Sequence, residues 1–182
     1  MDKFTVPPDS PDTCPYCIVT SVTADALKAF LEAGRDGSFN DEHPWLMAGE
    51  MLADAQSAGQ RLPLILAVDD QGDYQLDHWA WIEDIDVDEI RKGRWLTHCT
   101  FAGLAPVNPI FTALDSLFLK PGDDQLRREA LEPIRILRQA LDLKHLHPYA
   151  ICETPPFLLR PALQPAVDQT DTSPDNSPDN SG

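Results

Sequence analysis

The chain has 182 residues, 42% of them hydrophobic and 24% charged, which excludes a wholly disordered or collagen-like chain and suits one soluble domain. Seventeen prolines against nine glycines argue against long uninterrupted helices, because proline removes a donor and clashes with the preceding turn. Thirty acids against fourteen bases give a net charge of −16; such a surface repels phosphate and disfavours general DNA binding and attachment to an anionic membrane.

In chain order, residues 1–13 carry Pro7, Pro8 and Pro11 among polar residues and are expected to be disordered. A first helix is expected at 23–33, with Leu27, Phe30 and Leu31 at helical spacing, Thr23 as cap and Gly34 as stop. A second is expected at 43–58, where Trp45, Ala48, Leu52 and Ala55 share a face and Gly59 ends it. The apolar run Leu62–Val68 reads as a buried strand and 69–73 as a turn. Tyr74–Val87 reads as a long strand with Tyr74, Leu76, His78, Ala80 and Ile82 on one side. Its apolar phase then moves to Ile85 and Val87, which predicts a bulge or strong bend near Ile82-Glu83-Asp84.

A third strand is expected over Arg94–Phe101. Leu126, Ala130, Ile134, Leu137 and Leu141 recur at helical spacing, interrupted by Pro133, and a last strand begins at Tyr149 and stops before Pro155-Pro156. Residues 164–182 hold four aspartates, no base and a repeated Ser-Pro-Asp-Asn; this acidic tail cannot bury enough apolar surface to offset its ordering entropy and is expected to be disordered. The working unit is thus one α+β domain over 14–163. It holds a small curved antiparallel sheet, two N-terminal helices and one helix before the last strand.

No basic region followed by an apolar core opens the sequence, and no stretch approaches the roughly 18–20 apolar residues that span a bilayer. The expectation is a cytoplasmic protein without a membrane partner, in which Cys14, Cys17, Cys99 and Cys152 are thiols or metal ligands. Cys14-Pro15-Tyr16-Cys17 has the form of the glutaredoxin redox motif, but a proline-rich lead replaces the strand that should precede it. It could instead supply half of a zinc site, with Cys99, His98 and Cys152 as the other candidate ligands; zinc apart, no cofactor is expected. His145-x-His147 precedes Pro148 and reads as loop. Asp84-x-Asp86-x-Asp88 would aim to one side of a strand, where clustered acids could hold a hard cation such as Mg²⁺. The sequence has no Gly-rich phosphate loop, nucleophile elbow or HExxH motif, so a binding protein is favoured over an enzyme.

Trp79 and Trp81 are two residues apart and face the same way on a strand, and Trp95 lies on the next. Indoles around a cavity give a stacking surface for a flat base. Residues 62–104, with Trp79-Ala80-Trp81-Ile82-Glu83-Asp84-Ile85 followed by Thr97-His98-Cys99-Thr100-Phe101, resemble the strand order of PUA-like domains of the EVE type. That resemblance implies a curved, partly closed β-barrel with a pocket for a base, sometimes a modified one.

The leading expectation is therefore a non-enzymatic binding module for a base-like or small planar ligand or modified nucleotide. Trp79, Trp81 and Trp95 would grip it, with His78 or Tyr74 as polar partners. Residues 69–90, with nine acids and no base, carry the alternative of an acidic inhibitor or immunity-type protein that docks a basic protein partner. A zinc-stabilised or thiol-redox protein built on Cys14 and Cys17 is the third reading.

Overall fold

A computed structural model describes residues 13–159. Residues 1–12 and 160–182 lie outside the described residues, and with them the expected disorder over 1–13 and 164–182, except at Thr13, which is buried and forms a parallel bridge with Arg61. The elements in chain order are β1 (Tyr16–Thr23), α1 (Ala24–Glu32), β2 (Gly37–Asp41), α2 (Leu46–Ser57), β3 (Pro63–Asp70), β4 (Asp73–Arg91), β5 (Arg94–Pro106), α3 (Asp123–Leu131), α4 (Leu143–Leu146), β6 (Ala150–Glu153) and α5 (Pro156–Leu159).

The fold is α+β, and its six strands form one mixed sheet in the order β2-β5-β4-β3-β1-β6. β1 runs parallel to β3, with Ile18 opposite Leu64, while the other neighbours are antiparallel. β2 and β6 end the row without meeting, so the sheet is open. The expected antiparallel, partly closed sheet is corrected on both counts. The cause is β1, which the proline-rich lead disguised: it enters the sheet between β3 and β6, and the α1-β2-α2 connection supplies the crossover that a parallel pair requires.

Both faces of the sheet are covered near its centre. β3 shows why its sequence is apolar without alternation: Leu64 and Leu66 join Ile18, Leu27, Trp45 and Phe101 under α1 and α2, whereas Ile65 and Ala67 join Val19, Leu117, Leu141 and Leu146 on the opposite face. The first core is fixed by its helix starts. Thr23 caps α1 by accepting from the Ala26 N–H at 3.1 Å. α2 lacks a side-chain cap of its own. Instead the fully buried Thr97 hydroxyl donates to the His43 carbonyl at 2.6 Å and accepts from the Trp45 N–H at 3.1 Å, and the Tyr149 hydroxyl accepts from the Ala48 N–H.

The opposite face is covered by the largely irregular segment 107–148. α3 stops at Leu131 because Pro133 forces its predecessor out of the helical region, and Glu132 is extended with φ −121° and ψ 145°. The helical spacing that continues to Leu141 therefore does not produce one helix: Leu137 is 92% exposed while Leu141 is buried. Arg138 ties this segment to the sheet, donating from Nε to Glu153 at 2.8 Å and forking onto both carboxylate oxygens of Glu129.

The expected irregularity in the long strand is present, with a register shift between Ile82 and Asp84 against β5. A second shift, between Leu66 and Ala67 of β3, inserts Asp77 into β4. It divides the row expected to share one side: Tyr74 and Leu76 belong to the second core, Ala80 and Ile82 to the first.

Candidate interaction surface

The indoles do not converge. Trp79 and Trp81 lie on the face away from α1 and α2, edge to face at 4.9 Å, and the Arg61 guanidinium lies 4.1 Å over the Trp81 ring. Trp95 pairs with Glu89 near the far end of the β4–β5 hairpin. It shares alternation with Thr97, Cys99 and Phe101, hence the opposite sheet face. It is also seven residues along β5 from Ala102, the partner of Trp81, or roughly 23 Å. His78 follows Leu66 onto the first face, while Tyr74 packs against His147 with ring centroids 5.9 Å apart. Of the five expected ligand contacts, only Trp79 and Trp81 touch, and one face of the Trp81 ring carries the Arg61 guanidinium.

The cysteines divide likewise. Cys14 and Cys99 belong to the core under the helices, Cys17 and Cys152 to the other. The two cysteines of the CPYC motif, Cys14 before β1 and Cys17 within it, pack on opposite sides of the sheet, and the motif leads into a strand rather than a helix. Cys14 and Cys99 are also held apart by β3 and β4, three inter-strand spacings or roughly 14 Å. Among the described residues no three His, Cys, Asp or Glu side chains are grouped to hold a metal ion. Burial pushes all four thiols up, Cys99 and Cys152 to about 12, the reverse of a reactive or metal-ready thiolate. His145 is held by Asp142 at 2.6 Å and His147 by Ser21 at 3.3 Å, so these two imidazoles also serve separate contacts.

What the fold does assemble is an acidic arm. The β3 ladder on β4 begins at Pro63 opposite Trp81, so among the described residues β4 continues beyond it with β5 as its only strand neighbour. One face of this arm lies under α2, where Ile85 and Val87 are half-buried against the core. The other face carries Asp84, Asp86 and Asp88, all exposed, opposite Thr100, His98 and Leu96. Beyond His98, β2 contributes Asn40, whose side-chain oxygen lies 2.6 Å from His98 Nδ1. None of the three aspartates has an ion-pair partner among the described residues.

Carboxylates at alternate strand positions stand about 6–7 Å apart. Each neighbouring pair repels by roughly 0.6 kcal/mol even at the dielectric of water, and cations laid along the row relieve that repulsion. The spacing is too wide for one small cation to bind all three, but it matches the period of side chains on a second strand. The sequence carried this signal as the Asp-x-Asp-x-Asp alternation; what it did not carry was which face stays uncovered.

No protein-family model, curated protein or solved structure matches this chain. Among the described residues, no helix is long and apolar enough to cross a membrane.

Proposed function

We propose that this protein is a non-enzymatic binding module whose partner is a basic protein, docked on the acidic β4–β5 arm. The observation that carries the reading is the row Asp84, Asp86 and Asp88, in register on a sheet face that no described element covers. Three further features support it. The whole chain carries −16, so long-range steering favours a cationic partner. The acids sit on a paired strand rather than a loop, which fixes their spacing before binding and lowers the ordering cost. Covering the row would remove its self-repulsion. The planar-ligand reading draws less support, since Trp95 and His78 leave the group and Arg61 lies over one face of Trp81.

The experiment compares two variants with equal loss of charge. One replaces the arm acids (D84N, D86N, D88N); the other replaces exposed helix acids (D25N, E50Q, D54N). Proteins retained on the immobilised wild-type chain at low salt should be lost with the arm variant and kept by the helix variant, and should elute as salt rises. Equal retention by both variants overturns the proposal, because net charge alone would then explain the binding.

A further inference from the structure

The arm presents more than charge. Because β3 starts opposite Trp81, the β4 edge from Glu83 to Arg91 has no strand beside it among the described residues. Within that stretch the only hydrogen bond found on this side is Gln56 Nε2 donating to the Glu83 carbonyl at 3.5 Å. Alternate backbone N–H and C=O groups along the last nine residues of β4, Glu83–Arg91, are thus left facing outward, and such an edge is a template for another strand. We infer that the basic partner adds a strand to this edge, through an extended segment with lysine or arginine at every second position. The inference rests on the preceding reading of a basic partner and states how that partner engages.

Side-chain chemistry selects the occupant. A strand laid beside β4 brings each of its side chains to about 4.5–5.5 Å from the one directly opposite on the same face. Residues opposite Asp84, Asp86 and Asp88 would therefore be cationic. Those opposite Ile85 and Val87 would be small or apolar, because that face lies under α2, where Gly49 is near Ile85.

A second copy of this chain does not fit. Pairing two β4 edges with their open faces aligned sets aspartate against aspartate, which is destabilising for directly opposed like charges. The chain's own ends do not fit either: residues 1–12 contain one base, Lys3, and residues 160–182 contain one, Arg160. Neither supplies alternating cations.

The test uses the full chain and three synthetic peptides of about eight residues, the length of an ordinary strand. The first alternates lysine and threonine. The other two keep that sequence and charge but carry backbone N-methyl groups, one on the odd-numbered amides and one on the even-numbered amides. For a given strand direction with the lysines on the aspartate face, only one of these sets faces the β4 edge. The unmodified peptide should bind and slow hydrogen exchange at amides within 83–91. One methylated peptide should bind as well as the parent, and the other should lose roughly tenfold or more, as expected when backbone hydrogen bonds are removed. If both methylated peptides bind like the parent and the parent is weakened by D84N, D86N and D88N, strand addition is overturned while charge-driven docking stands. If the parent fails to bind, or binds the triple variant equally well, both readings fall together.

Discussion

Cys17 and Cys152 stand directly opposite each other across the β1–β6 ladder, whereas Cys14, three residues before Cys17, packs on the other face of the sheet. Two cysteines close in sequence are thus separated by a sheet, and two that are distant in sequence become neighbours. All four are buried free thiols.

Their protonated state belongs to the fold. A thiol reagent at about pH 8 should react with native protein far more slowly than with unfolded chain, in which four thiols titrate, since the thiolate is the reactive form. The pH dependence follows the same burial. The unfolded chain loses its thiol protons from the ordinary value of 9.0, while Cys99 and Cys152 hold theirs to about 12. Their contribution to stability is complete below pH 9.0 and is lost as pH rises toward about 12. Urea unfolding across this range should show a falling midpoint, with a shallower fall in Cys99→Ala; an equal fall in the variant would remove Cys99 from the account.

Arg138 should prove to be the clasp of the irregular layer. Its guanidinium holds the Glu129 carboxyl down at about 2, against an ordinary 4.5. The stability this contributes is present above pH 4.5 and disappears as pH falls toward about 2. Arg138→Met should therefore lower Tm at neutral pH and speed hydrogen exchange over 123–138. The difference from wild type should narrow as the solution is acidified through that window. A variant whose deficit does not change with pH would show that packing of the Arg138 stem, not its charge, holds the layer.

Gly37 is required by space. A Cβ at this position would lie 2.9 Å from Phe101 Cζ and 3.0 Å from Phe30 Cδ1, two rings already set edge to face at 5.0 Å. Gly37→Ala should cost about 1–3 kcal/mol through overpacking, read as a lower urea midpoint with an unchanged m-value. An unchanged midpoint would show that the rings can move aside.

Thr97→Val keeps the shape of the side chain and removes a hydroxyl that is both donor and acceptor in a fully buried setting. The His43 carbonyl and the Trp45 N–H each lose a partner, for an expected loss of about 2 kcal/mol. Thr97→Ser should recover most of it. If valine and serine behave alike, the hydroxyl is not what anchors the start of α2.

Legibility in the sequence followed local strength of signal. α1, α2, β3 and the bend of β4 were readable because each is announced by residues a few positions apart: Thr23 before α1, the face Trp45-Ala48-Leu52-Ala55, the run Leu62–Val68, and the phase change at Ile82–Asp84. β2 was not, since Gly37-Ser38-Phe39-Asn40-Asp41 has the composition of a turn and becomes a strand only by pairing with Thr97–Phe101. The indole group failed for a related reason. Alternation places Trp79 and Trp81 together, but no local rule counts the residues between Trp81 and Trp95 across a hairpin whose register shifts three times.

The amino-acid order alone settled the acidity of the chain, the period of Asp84, Asp86 and Asp88 along a strand, and the elements whose caps and apolar repeats lie within a few residues of one another. Those properties depend on neighbouring covalent geometry and survive any tertiary arrangement. Which face of the arm stays open, which strand edge is left without a neighbour, and which cysteines meet were decided only when β1 entered beside β3 and α2 settled over Ile85. Those choices depend on contacts between residues far apart in sequence, made wherever they bury the most apolar surface without stranding a backbone polar group.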